Sequence, residues 1–275
     1  MKLKKYFRRQ IALTNEHGSW VFLFSPLLIG LFAGGHWSID SLYLTLAALA
    51  GFLIRQPITI AVKIYSGRRS RSDLPAARFW ILVYGLLGIT MVFALILRGF
   101  GFVLYLALPA IPVFVMHLYL VRKRAERGQI GVELVASGIL ALAAPAAYWV
   151  GVGGSALGGW WLWALTWFQS SASIVHAYLR LEQRPLQEIP SLKARFHMGK
   201  RALLYTTFNL VAVGIISWAE ILPPWIFIPY LLQWLETLWG VIRPAAGLKP
   251  TSIGFRQLFI SSAFTILFII TWPLT

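Results

Sequence analysis

The sequence predicts an all-α fold, a polytopic membrane bundle of about nine transmembrane helices with a cytoplasmic N-terminus. Apolar residues make up 58% of the 275 residues and charged residues only 12%. Soluble domains carry about one quarter charged residues. Apolar runs of about twenty residues recur along the chain, each long enough to cross roughly 30 Å of hydrocarbon. We therefore expect a single transmembrane domain over residues 1–275.

The expected spans follow the apolar runs in chain order. The first comes after the basic segment 1–10 and is longer than the apolar part of a signal peptide, so we expect it to be retained. The connections are short and contain Gly and Pro residues typical of turns. The predicted spans are 18–36, 41–64, 77–97, 101–121, 131–151, 159–181, 202–220, 224–243 and 254–272.

The basic residues set the orientation. Of the 25 Lys and Arg residues, 24 lie toward the side of the N-terminal segment and the alternate basic connections, and only Arg98 falls on the other side. Short basic connections stay on the cytoplasmic side, so the N-terminus is predicted there. The formal charge of +16 is spread over short connections and not gathered in a separate basic domain. This distribution favours anionic membrane lipids over nucleic acid as partners.

A weak internal similarity suggests a repeat of residues 18–121 in residues 131–243. The segment 74–79 follows the second expected span, and the similar segment 191–196 follows the sixth. Duplicated halves produce such spacing in membrane transporters.

Polar side chains form a stripe on each of three expected spans. An ionisable residue at the middle of a lone span costs about 2.5–3.5 kcal/mol on insertion scales, so it needs a partner or water. Steps of three and four residues place side chains on one helical face. The stripes are Gln56, Thr59 and Lys63, with Arg55 beside them; Gln169, Ser173, His176 and Arg180; and Gln233, Glu236, Thr237, Gly240 and Arg243.

If the three stripes converge, they line a basic cavity open toward the cytoplasm. Guanidinium and imidazole groups there favour an anionic headgroup such as a phosphate or carboxylate. The alternative is that these residues pair with one another or extend to the cytoplasmic headgroups. The predicted ligand-binding residues are Arg55, Gln56, Lys63, Gln169, His176, Arg180, Gln233, Glu236 and Arg243.

The candidates for catalysis are Glu16, His17 and His176. Glu16 and His17 stand at the mouth of the first span and form either a proton-transfer pair or part of a helix cap begun by Asn15. The chain has no cysteine, which excludes disulfides, thiolate catalysis and Cys-ligated metals. No metal site and no cofactor are predicted.

Short motifs spread along the chain resemble the YwiC-like family of bacterial membrane proteins, whose function is not established. The resemblance implies a multi-pass protein of the bacterial cytoplasmic (inner) membrane and carries no catalytic signature. The motifs are Glu16-His17-Gly18-Ser19-Trp20, Arg55-Gln56-Pro57, Ala77-Arg78, Arg243-Pro244, Lys249-Pro250 and Ile253-Gly254.

The layout of spans also resembles the UbiA-type prenyltransferases, with basic connections after the second and sixth spans. That resemblance implies a central site for an isoprenoid diphosphate, held by Mg²⁺ on aspartate-rich motifs. Here Asp73 stands alone and basic residues occupy those zones, which speaks against Mg²⁺-dependent transfer.

The leading hypothesis is a degenerate prenyltransferase-like protein that binds an anionic amphiphile, an isoprenoid or lipid phosphate. One alternative is a transporter or exporter of a small anion, because Pro109, Pro112 and Pro145 interrupt two spans. The other alternative is a membrane assembly or scaffold protein, in which the stripes are helix-packing contacts.

Overall fold

The structure is a computed structural model that describes residues 6–14, 17–126 and 128–273. Every regular element within these residues is helical, which confirms the all-α prediction for the described part of the chain. The α-helices are α1 (Arg9–Ala12), α2 (His17–Gly34), α3 (Ile39–Tyr65), α4 (Leu74–Leu97), α5 (Ala110–Lys123), α6 (Ile130–Ala141), α7 (Ala143–Val152), α8 (Leu157–Gln183), α9 (Leu192–Trp218), α10 (Ile228–Ile242) and α11 (Pro250–Thr271). Two 3₁₀ helices, Arg71–Asp73 and Gly101–Ala107, precede α4 and α5.

Each predicted span coincides with a helix or a pair of helices. Residues 101–121 fold as the second 3₁₀ helix and α5, and residues 131–151 fold as α6 and α7 with a break at Leu142. Helix α9 begins at Leu192, well before the predicted residue 202. Its polar first turns hide it from hydropathy, but Ser191 caps it by accepting a hydrogen bond from the backbone N–H of Ala194.

Within the described residues, six helical stretches are long and apolar enough to cross a membrane, which indicates a multi-pass membrane protein. They are Ile39–Tyr65, Arg71–Leu97, Gly101–Lys123, Ile130–Val152, Leu192–Trp218 and Pro250–Thr271. The other three predicted spans do not qualify: the apolar stretch Ser19–Gly34 is short, α8 carries a polar stripe, and α10 has 15 residues. A helix of that length covers only about 22 Å. The count of about nine crossings and the side of the N-terminus stay predictions.

The helices pack in two groups that share α2. Helix α3 packs along α4, and α2 packs along α7. In the second group α10 contacts α9, α11 and α8, while α11 also contacts α2. The core of the second group centres on Tyr230, which packs edge-on against Phe264 and donates a 2.8 Å hydrogen bond to the carbonyl oxygen of Leu165.

Helices α2 and α7 touch backbone to backbone. A Cβ atom added at Gly30 would lie 2.2 Å from the carbonyl oxygen of Ala144. A Cβ atom added at Gly151 would lie 2.8 Å from Cα of Gly34. Small residues permit such close packing of membrane helices, and here they join the two groups.

The outer face of α4 is apolar and exposed. Leu82, Leu86, Ile89 and Phe93 are between 57% and 69% exposed, and their steps of four, three and four residues place them on one face. A soluble protein rarely exposes so continuous an apolar surface, whereas a bilayer covers it. The packing therefore agrees with the membrane assignment.

Candidate functional site

The polar stripe of α8 is turned into the protein. Gln169, Ser173 and Arg180 are 2%, 7% and 5% exposed, and His176 lies between them on the same face. This face meets α10 and α11. The structure thus places the whole α8 stripe at the contact of three helices.

Gln233 joins the stripe of α10 to that of α8. Its amide nitrogen donates to the carbonyl oxygen of Gln169 at 2.9 Å and to the hydroxyl of Ser173 at 3.2 Å. One turn later, Thr237 donates to the carbonyl oxygen of Gln233 within α10. These buried bonds fix the two helices against each other.

Helix α11 supplies the third wall, which the sequence analysis missed. The guanidinium of Arg256 donates to both carboxylate oxygens of Glu236, at 2.6 and 2.8 Å. Gln257 donates to the carbonyl oxygen of Ser173, and Ser261 lies 3.3 Å from the amide nitrogen of Gln169. The signal was the polar set Arg256, Gln257 and Ser261 within the predicted span 254–272, which was missed because Arg256 was counted with the preceding basic connection.

A cavity of about 60 Å³ lies between α8, α10 and α11. Two guanidinium groups, of Arg180 and Arg256, and one carboxylate, of Glu236, line it. With His176 neutral, the lining carries one net positive charge. The structure therefore brings His176, Arg180, Gln233 and Glu236 of the predicted site residues to one cavity, with Gln169 bonded to its wall.

Gly240 makes room for His176. A Cβ atom at Gly240 would lie 2.6 Å from Cε1 of the imidazole. On the same ring, Nε2 lies 3.8 Å from a carboxylate oxygen of Glu236. The two groups form an ion pair only when the imidazole is protonated. The ring is thus held between α8 and α10 at the edge of the cavity.

Two buried polar atoms of the cavity residues have no hydrogen-bond partner in the described part of the chain. They are the amide oxygen of Gln233 and Nδ1 of His176. Buried polar groups nearly always have a hydrogen-bond partner in folded proteins, so unpaired ones beside a cavity indicate a bound ligand or water.

Arg180 also closes the carboxyl end of α10. Its Nη1 donates to the carbonyl oxygens of Gly240 and Arg243, at 2.8 and 2.7 Å, and to the side-chain oxygen of Gln183 at 3.0 Å. A cation at a helix C-terminus is favourable because the unpaired carbonyls carry partial negative charge. Arg180 is therefore both a helix cap and part of the cavity wall.

The polar stripe of α3 lies away from this cavity, so the structure does not bring it together with the stripes of α8 and α10. Helix α3 packs chiefly on α4, which turns its polar residues to other partners. The guanidinium of Arg55 lies over the ring of Phe52, Gln56 donates to the carbonyl oxygen of Gln10, and Lys63 pairs with Glu126 at 3.4 Å. None of these three predicted residues lines the cavity. A ligand role for them stays a prediction.

Three other predicted residues lie outside the cavity or outside the part of the chain that the structure describes. Arg243 is exposed, and its guanidinium lies 4.4 Å from the ring centre of Trp239. Glu16 lies outside the described residues, and so does the side chain of His17. His176 is thus the one catalytic candidate whose side chain the structure describes.

Ion pairs at the ends of the helices hold the connections. Arg68 and Lys63 surround Glu126, and the hydrogen bond from Arg68 lowers the pKa of that carboxyl to about 2. Near the start of α3, Asp40 accepts a hydrogen bond from Arg98, which raises the pKa of the guanidinium. These pairs fasten α3 to α5 and α4.

The cavity residues do not fit a Mg²⁺ site. Magnesium takes several oxygen ligands, usually carboxylates and water. Glu236 is the one carboxylate among the described lining residues, and Arg256 binds both of its oxygens. Within the described ranges, no group of three or more His, Asp or Glu side chains is placed to hold a metal ion.

Comparison with known proteins finds similarity in the first half of the chain. Residues 13–148 match the protein family described as YwiC-like protein. The protein called "Uncharacterized protein YwiC" of Bacillus subtilis (strain 168) is 27% identical over 154 residues. That alignment covers 54% of this chain and 57% of the relative, so the chain spans little more than half the length of the curated relative it matches.

No solved structure matches the chain, so the UbiA-like arrangement stays a prediction. The matched segment runs from before α2 into α7 and includes the motif Arg55-Gln56-Pro57. The described cavity lining begins at Ser173 on α8, beyond that segment. Over residues 13–148 the chain is therefore similar to the YwiC-like proteins, as its motifs predicted.

Proposed function

We propose that this protein binds an anionic amphiphile, an isoprenoid or lipid phosphate, in the bacterial cytoplasmic membrane. The single observation that carries the proposal is the cavity between α8, α10 and α11 with its net positive charge. We place the cavity toward the cytoplasmic side, because Arg180 and the basic connection after α8 lie at that end in the predicted topology.

The charge of the cavity selects the headgroup. The guanidinium of Arg256 donates to the carboxylate of Glu236. The three hydrogen bonds of Arg180, in contrast, all use Nη1 and go to uncharged oxygens. Among the described residues Arg180 has no carboxylate within ion-pair distance, so its charge is the one that a bound anion would neutralise. Electrostatic attraction is strong at this depth because the surroundings are apolar, and a guanidinium matches phosphate geometry.

The size of the cavity supports an amphiphile with its chain outside. About 60 Å³ holds on the order of four waters, which suits a phosphate group and not a hydrocarbon chain. An apolar groove of about 530 Å³ lies between α2 and α11. Gln257 lines the cavity and its neighbour Leu258 lines the groove, so α11 separates a polar site from an apolar one.

Native mass spectrometry of the purified protein tests the proposal. We expect wild type to retain an anionic lipid, and we expect Arg256→Gln to lose it because the lining then has no net charge. Arg180→Gln should act in the same direction, with its folding checked by size-exclusion chromatography. Arg201→Ala is the matched control, since Arg201 is an exposed residue of α9 that does not line the cavity. Unchanged retention in Arg256→Gln would remove the proposal.

The same preparation separates binding from transport, catalysis and scaffolding. Flux of a small anion in proteoliposomes would favour a transporter, and turnover of the bound lipid would favour a transferase with His176 as its first candidate. The broken helices α6 and α7 do not line the cavity, so the structure adds no argument for transport. A stoichiometric partner protein without bound lipid would favour a scaffold.

A further inference from the structure

Resting on the proposed function, we infer that the headgroup is a phosphate monoester that brings its own hydrogen-bond donor to Gln233. A singly protonated monoester carries one negative charge and one P–OH group. The cavity offers one net positive charge and a buried amide oxygen that lacks a donor. A phosphodiester or a carboxylate matches the charge but leaves that oxygen unpaired.

The orientation of the Gln233 amide is fixed by its neighbours. The carbonyl oxygen of Gln169 can only accept, and it lies 2.9 Å from the amide nitrogen of Gln233. Exchanging the amide nitrogen and oxygen would set two acceptors against each other. The oxygen of Gln233 must therefore occupy the other position, where the described residues provide no donor.

The burial of Gln233 makes its unpaired oxygen costly. The residue is 6% exposed and lines the cavity. A buried acceptor that loses water without gaining a donor is destabilising, so a ligand that supplies the donor gains affinity over one that does not.

His176 carries a second unpaired acceptor, which is not assigned to the P–OH group. When the proton of its imidazole sits on Nε2, toward Glu236, the buried Nδ1 lacks a donor. A singly protonated monoester has one P–OH and supplies one donor, which the fixed orientation of the Gln233 amide assigns to Gln233.

Matched lipid pairs test the inference. Dioleoyl phosphatidic acid and dioleoyl phosphatidylmethanol differ only in whether a P–OH or a P–OCH₃ is present, and farnesyl phosphate and its methyl ester form the isoprenoid pair. Binding to the full chain in detergent is measured at pH 6, near the second phosphate pKa of about 6. We expect the monoester of at least one pair to bind about tenfold more tightly, as one satisfied acceptor predicts. The pair that shows the preference identifies the class of chain.

The variant Gln233→Leu assigns the preference to one atom. It should bind monoester and diester about equally while Arg201→Ala keeps the wild-type ratio. A preference that persists undiminished in Gln233→Leu cannot come from the Gln233 oxygen and would overturn the inference. Should that variant not fold, Gln233→Met takes its place, since it also removes the amide oxygen.

The two proposals fail in different ways. Equal affinity of wild type for both members of both pairs overturns the monoester inference, while loss of binding in Arg256→Gln still supports the anionic site. Failure of all four lipids to bind overturns the proposed function itself.

Discussion

Gly30 offers the sharpest test of the helix packing, because any side chain there must meet backbone. In Gly30→Ala the new Cβ would lie 2.2 Å from the carbonyl oxygen of Ala144, whereas ordinary contacts of a Cβ atom lie at 3.4–4 Å. Backbone cannot rotate away as a side chain can. Helices α2 and α7 must therefore separate by about 1 Å along their contact.

The expected loss of stability is about 1–3 kcal/mol. Overpacking of a close contact costs about that much, and the roughly 1 kcal/mol that alanine gains over glycine in a helix offsets part of it. At Gly214 in α9, an added Cβ meets nothing within 4 Å. Gly214→Ala therefore shows the helix gain alone.

Apparent melting temperatures in detergent compare the two variants. We expect Gly30→Ala to melt several degrees below wild type and Gly214→Ala to melt at or slightly above it, at roughly 2–4 °C per kcal/mol. Equal melting temperatures for the two would refute the close approach of α2 and α7.

The remaining predictions concern the cavity and the connections. Gln183→Leu should lower stability by at least about 2 kcal/mol, measured by thermal melting, because Gln183 is fully buried and both ends of its amide are bonded. Gly240→Ala should weaken lipid retention by displacing His176, with little change in melting temperature, since the rotamer cost of about 0.5–1.5 kcal/mol is offset by helix propensity. The bond from Arg68 lowers the Glu126 pKa from 4.5 to about 2, so this pair stabilises the fold above pH 4.5 and is lost as the pH falls toward 2. Melting temperature should fall over that range more steeply in wild type than in Glu126→Gln.

Hydropathy was enough to place the helices, because each apolar run is long and its turns are marked by Gly and Pro. Hydropathy was least informative about helix boundaries where a helix contains polar residues. Leu192 begins α9 because Ser191 caps it, and the polar first turns before residue 202 have no hydropathy signal. The shortness of α10 was equally hidden, since residues 224–227 are apolar but lie outside the helix.

The polar stripes predicted part of the site. The helical period of the sequence placed Gln169, His176 and Arg180 on one face, and their burial agrees with a shared environment. The helical period does not say which helices are neighbours, so it could not show that the α3 stripe lies apart from the stripes of α8 and α10. Arg256 was counted as part of a basic connection, and only the three-dimensional contact with Glu236 reveals it as a wall of the cavity.

Arg180 both caps the carboxyl end of α10 and lines the cavity, so one side chain connects the interior of the bundle with the end of that helix. A guanidinium that turns toward an incoming anion loosens its hold on the carbonyl oxygens of Gly240 and Arg243. Those oxygens end α10 just before the segment 243–249 leads into α11. In the proposed complex, a bound anion and the carbonyl oxygens at the end of α10 would therefore draw on the same cation, and binding would change the order of the linker between α10 and α11.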